Sequence, residues 1–163
     1  MGTGYRYKCK KCGYTFSQMN GVGLLFPAVY AETIQRAKEG ELGGQMQQFL
    51  EEHPDGAVNA ENVTLCCNSC GALSTDLDLT MYIPKIYCPS KVKNTRWSVG
   101  MPFEVRKYVT PADLEDFYEE YEKYPHKCEK CSGEMRILKD DEELVCPECK
   151  IPLSPKADII MWD

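Results

Sequence analysis

Four Cys-x-x-Cys pairs, Cys9/Cys12, Cys67/Cys70, Cys128/Cys131 and Cys146/Cys149, are spread along this 163-residue chain and take up eight of its ten cysteines. Two residues between thiols let the backbone double back, so that both sulfurs reach one tetrahedral ion at about 2.3 Å. Four such half-sites make two complete tetrathiolate sites. Joining neighbours along the chain is the simplest closure. The expectation is therefore one site of Cys9, Cys12, Cys67 and Cys70 and another of Cys128, Cys131, Cys146 and Cys149, interleaved pairing being topologically costlier.

With cysteines near both ends, the chain reads as two modules sharing a modest core. No run approaches the ~18 apolar residues of a membrane span. The opening Met1-Gly-Thr-Gly-Tyr-Arg-Tyr7 lacks the apolar stretch of a signal peptide. The expected location is cytoplasmic, where thiols stay reduced and paired cysteines serve as metal ligands or redox groups. A formal net charge of −6 argues against a uniformly basic coat. Basic residues nevertheless cluster locally: Arg6, Lys8, Lys10 and Lys11 near the start, and Lys85, Lys91, Lys93, Arg96, Arg106 and Lys107 against Glu104 in residues 84–110.

Alternating aromatic and basic residues from Tyr5 to Lys8 predict a strand entering the first pair. Gly13 and Gly71, directly after Cys12 and Cys70, supply the left-handed backbone that turns amides toward sulfur. Between Cys12 and Cys67 lie 54 positions, too many for a plain loop. Pro27, Tyr30, Ile34 and Ala37 predict one helix, and Leu42, Met46, Phe49 and Leu50 a second, ending at the His53-Pro-Asp-Gly56 turn. Strict alternation from Leu73 to Ile83 predicts one continuous half-buried strand, paired with Val63 and Leu65 across the Cys67–Cys70 turn. Asp76 and Asp78 then share its solvent face. Thr110 and Pro111 predict a helix start, with residues 117–127 as a strand in the alternative. Glu134–Leu138 and Leu144–Val145 predict a hairpin, and Asp158–Trp162 a final apolar strand.

The stretches Tyr7-Lys-Cys9-Lys-Lys-Cys12-Gly13-Tyr14 and Val145-Cys146-Pro147-Glu-Cys149 resemble the knuckles of zinc-ribbon proteins and of rubredoxins. The whole chain resembles small uncharacterised bacterial zinc-ribbon proteins, and that resemblance implies no particular activity. Lys150 departs from the pattern, standing where a glycine follows the last knuckle. The expected fold is α+β, with two zinc-ribbon-like β modules. Residues 1–83 form the first, carrying a helical insert at about 26–53; residues 84–110 are a basic connector and strand; residues 111–163 form the second, preceded by a short helix. Four thiolates accept Zn(II) or iron in the same tetrahedron, and the expected cofactors are two Zn(II), with Fe as the alternative.

Cys66 and Cys88 fall outside the pairs and read as small buried hydrophobes, although Cys66 can stand in for Cys67 as a ligand. His53 and His126 are surplus where each site already has four sulfurs. The sequence holds no Walker loop, no His-Glu-x-x-His and no Gly-x-Ser-x-Gly, so no catalytic residue is named. The expectation is a noncatalytic zinc-binding protein that displays a surface to a protein or nucleic-acid partner, with no membrane and no small-molecule substrate. Lys91, Lys93, Arg96 and Trp97 are the candidate contacts, because basic groups bind phosphate and aromatics stack on bases. The alternative is a rubredoxin-like iron electron carrier or a thiol redox protein.

Overall fold

The computed structural model describes residues 2–87, 96–98, 105–139 and 141–162, and for 2–3, 96–98, 105–107 and 156–162 the backbone only. The chain divides into two units, neither of them continuous in sequence. One gathers residues 1–23, 62–77 and 125–163; the other gathers 24–61 and 78–124.

The first unit is built from two antiparallel sheets of the same topology. Strands β1 (Gly2–Lys8) and β2 (Thr15–Asn20) form a hairpin around the first Cys-x-x-Cys turn. The last strand of the chain, Ser154–Trp162, returns to pair with β1, from Lys8↔Ser154 to Gly2↔Trp162. Further along, β4 (Asn62–Cys67) and β5 (Leu73–Leu77) form a hairpin around the second turn, and Met135–Ile137 pairs with β4. In both sheets the third strand adds to the outer edge of the hairpin's first strand. The second sheet therefore lies, in chain order, inside the loop that the first sheet closes. The expected partner of Met135–Ile137 was Leu144–Val145; instead Val145 makes only an isolated bridge to Pro152.

The second unit carries helices α1 (Phe26–Lys38) and α2 (Gly44–Glu52), both where the apolar spacing predicts them. Pro27 occupies the first turn of α1, where its missing N–H removes no helical hydrogen bond. Its sheet joins β3 (Ala57–Val58), β6 (Met81–Pro84) and β9 (Tyr118–Glu122). Helix α3 (Pro111–Phe117) starts at a capping box. Thr110 Oγ1 accepts from the Asp113 amide at 3.1 Å, and Asp113 Oδ2 accepts from the Thr110 amide at 3.0 Å. At Tyr118 the chain passes directly into β9, so the helix and strand alternatives for this region each hold for part of it. A short pair, β7 (Arg96–Ser98) with β8 (Val105–Lys107), completes the described elements. In chain order, Met135–Ile137 is β10 and Ser154–Trp162 is β11.

The continuous strand expected from Leu73 to Ile83 is broken at residues 78–80. Asp78 Oδ1 accepts from the Thr80 amide at 2.9 Å and from the Thr80 hydroxyl, while Asp78 Oδ2 accepts from Asn59 Nδ2 at 2.9 Å. Such a side-chain turn competes with strand pairing. Leu79, with φ of +60°, takes the corner. Asp78 is thus a turn residue and not the solvent-facing partner of Asp76.

Candidate metal centres

The four Cys-x-x-Cys turns share one geometry. In each, the first cysteine's amide donates to the carbonyl five residues on: Cys9 to Tyr14 at 2.8 Å, Cys67 to Ala72 at 2.9 Å, Cys128 to Gly133 at 2.8 Å and Cys146 to Ile151 at 2.8 Å. The amide four residues on donates back to the first cysteine's carbonyl, from Gly13 at 3.0 Å, Gly71 at 3.0 Å, Ser132 at 2.7 Å and Lys150 at 2.9 Å. Closing that loop requires a left-handed residue after the second cysteine. Gly13 (φ 78°), Gly71 (74°), Ser132 (57°) and Lys150 (57°) all adopt it. The missing glycine after Cys149 leaves the knuckle intact, with strain at Lys150 in its place.

The knuckles come together as two groups of four thiols that can hold a metal ion: Cys9, Cys12, Cys146 and Cys149, and Cys67, Cys70, Cys128 and Cys131. This corrects the expected pairing of neighbours along the chain. The sites are nested: the outer pair of knuckles makes one and the inner pair makes the other. The physical reason lies in the sheets. Each hairpin knuckle is joined by the knuckle that precedes the third strand of its own sheet, and the first sheet's third strand is the last in the chain.

Within each group all four ligand atoms lie within 4.8 Å of one another. Sulfur–sulfur separations are 3.6 Å for Cys12 and Cys146, 3.4 Å for Cys67 and Cys131, and 3.8 Å for Cys70 and Cys128. A tetrahedron with metal–sulfur bonds of about 2.3 Å has edges of about 3.8 Å, so the thiols are already spaced for an ion. Backbone amides turn inward as thiolates require: Cys70 N–H lies 3.5 Å from Cys67 Sγ, and Cys149 N–H lies 3.5 Å from Cys146 Sγ. Gly133 permits the close approach of two knuckles, since a Cβ there would fall 2.7 Å from Ser69 Oγ and 3.2 Å from Cys131 Sγ. In every knuckle the first cysteine is buried, and the second is exposed or half-buried.

Ionisation sets Cys9 and Cys67 apart from Cys131 and Cys149. The Cys12 amide, chiefly, brings Cys9 down to about 6, and the Cys70 amide does the same for Cys67. Cys149 is pushed up to about 12 by the adjoining Cys12 thiol and by burial. At Cys131 the Gly133 amide favours the thiolate, yet the neighbouring Cys67 and Cys70 and burial outweigh it and push the group up to about 12. Four negative sulfurs this close cannot coexist unaided. A dication is what allows all four to ionise near neutral pH, so the donor set and its electrostatics fit a metal.

Cys66 is a free, half-buried thiol whose burial raises its pKa. Alternation along β4 places Cys67 in the inner site and packs Cys66 against the cluster that holds Cys9 and Cys146. His126 is buried, and its carbonyl accepts from the Met135 amide; neither it nor His53 belongs to a metal-binding group. His53 packs its ring against Phe49 and Tyr121. Lys91, Lys93 and Cys88 lie outside the described residues, and Arg96 and Trp97 are placed as backbone in β7. Among the described residues no helix is long and apolar enough to cross a membrane. Comparison with protein-family models, curated proteins and solved structures finds no match.

Proposed function

We propose that this is a noncatalytic protein whose first unit consists of two zinc ribbons, each closed by a structural Zn(II) in a four-cysteine site. The observation that carries the reading is the fourfold recurrence of one knuckle geometry, with the sulfurs set at tetrahedral spacing. Cys9, Cys12, Cys146 and Cys149 would hold one ion, and Cys67, Cys70, Cys128 and Cys131 the other. When bound, each ion supplies cross-linking and charge neutralisation. Four thiolates leave no position for water or substrate, which makes such a site structural and not a catalyst.

The ribbons then serve as a frame that displays a surface to a protein or nucleic-acid partner. Lys91, Lys93, Arg96 and Trp97 remain the proposed contact group, on the sequence pattern alone. Metal analysis of protein expressed without added zinc tests the first part: two equivalents of zinc per chain and a colourless solution are expected. Two equivalents of iron with visible thiolate-to-iron absorption would replace the reading with electron transfer, and metal-free folded protein would overturn both. For the partner face, Lys93→Glu with Arg96→Glu should abolish any salt-sensitive retention on nucleic acid. Unaltered retention would remove that face.

A further inference from the structure

The two groups of thiols are joined by contacts between their knuckles. Lys150, in the left-handed position after Cys149 of the outer site, donates from Nζ to the carbonyl of Cys70 in the inner site at 3.0 Å. Lys130, between Cys128 and Cys131, pairs with Glu148, between Cys146 and Cys149, at 3.1 Å. A third link runs through the interior. Strand β4 ends in Cys67 of the inner site, while its neighbour Cys66 and the cross-strand partner Leu73 pack against the cluster of Cys9, Cys146, Phe16 and Leu153.

We infer that the two metal sites are thermodynamically coupled, so that filling either one raises the affinity of the other, with Lys150 as the principal positioning residue. This rests on the metal-binding reading above. Chain closure alone gives little. Forming the inner site first replaces the 133 positions between Cys12 and Cys146 with the 54 and 14 that remain outside it, which eases closure of the outer site by about threefold. The Lys130–Glu148 pair is exposed and adds little by itself. Lys150 is exposed as well, but its ammonium donates directly to the Cys70 carbonyl of the other knuckle, and such charge-assisted bonds are the stronger kind. With the shared interior, a coupling of about tenfold is expected, and linkage makes it the same in both directions.

The test removes zinc stepwise from the loaded protein with a limiting chelator and counts the species by native mass spectrometry. Tenfold coupling keeps the one-zinc species to about a quarter of the chains at half-loading, whereas independent equal sites give about half. Lys150→Met retains all eight thiols and the apolar stem, and should raise the one-zinc fraction toward the independent value. Glu148→Gln should raise it less. Coupling through these contacts is overturned if both variants leave the wild-type distribution unchanged. Chains that carry no zinc at the outset would overturn the metal-binding reading, and this inference with it, and the first spectrum distinguishes that outcome.

Discussion

The two units solve the problem of a small interior in different ways. In the unit of residues 24–61 and 78–124, Met46, Val58 and Met81 are essentially inaccessible, and Phe26, Tyr30 and Phe49 pack around helices with apolar faces. In the unit of residues 1–23, 62–77 and 125–163, four of the buried core residues are themselves cysteines: Cys9, Cys67, Cys128 and Cys146. Apolar burial contributes about 1.5–3 kcal/mol per large side chain. A structural zinc site contributes on the order of 10–16 kcal/mol. The comparison teaches that one unit is held by side-chain packing, while the other, on the function proposed above, adds coordination by two groups of four thiols to a packed interior that includes Phe16, Leu65 and Leu153.

Metal withdrawal should separate them most sharply. A strong chelator under reducing conditions is expected to cost the cysteine-rich unit on the order of 10–16 kcal/mol per site and to unfold it. Amide exchange should accelerate in β1, β2, β4 and β5 while α1 and α2 stay protected; equal acceleration in both units would erase the distinction. Acid reaches the same end. The pKa values of Cys9 and Cys67 are lowered from 9.0 to about 6, so their contribution is complete above pH 9 and is lost as the pH falls through 6. Bound metal holds the thiolates lower still. Release to a colorimetric chelator should be negligible at about pH 7 and complete near pH 4.

Phe49→Ala probes the other unit. This ring is buried against His53 and Tyr121, and its loss should cost about 3–5 kcal/mol in denaturant melts with the metal content unchanged. Thr110→Ala, which removes the cap of α3, should cost about 1 kcal/mol and again leave the metals in place. The smallest effect is expected in the cysteine-rich unit. Ser132→Gly relieves a left-handed serine and should stabilise the loaded protein by roughly 0.5–1 kcal/mol, whereas a loss would mean that the Ser132 side chain contributes more than its backbone costs.

Local features were legible in the sequence. The knuckles, the hairpin joining Val63 and Leu65 to the strand after Cys70, both long helices and the start of α3 each follow from spacing over a few residues. The left-handed residues at Ser132 and Lys150 were not, because neither is a glycine and the turn's hydrogen bonds impose the conformation regardless. The break at residues 78–80 was hidden by unbroken apolar alternation. Its signal was Asp78 two residues before Thr80, the spacing of a side-chain turn. The nesting of the sites escaped for a different reason: which knuckles meet is decided by strand pairing over more than a hundred residues. One clue was present. The apolar final strand needed a partner, and the strand entering the first Cys-x-x-Cys pair supplies it.

The central claim is that thiols from the two ends of the chain share one ion. Replacing Cys9 and Cys12 with serine and mapping, in the metal-loaded protein, which remaining cysteines a small alkylating reagent modifies tests it most directly. Nested sites predict rapid modification of Cys146 and Cys149, with Cys67, Cys70, Cys128 and Cys131 still shielded by their metal. Modification of Cys67 and Cys70, with Cys146 and Cys149 protected, would contradict the account.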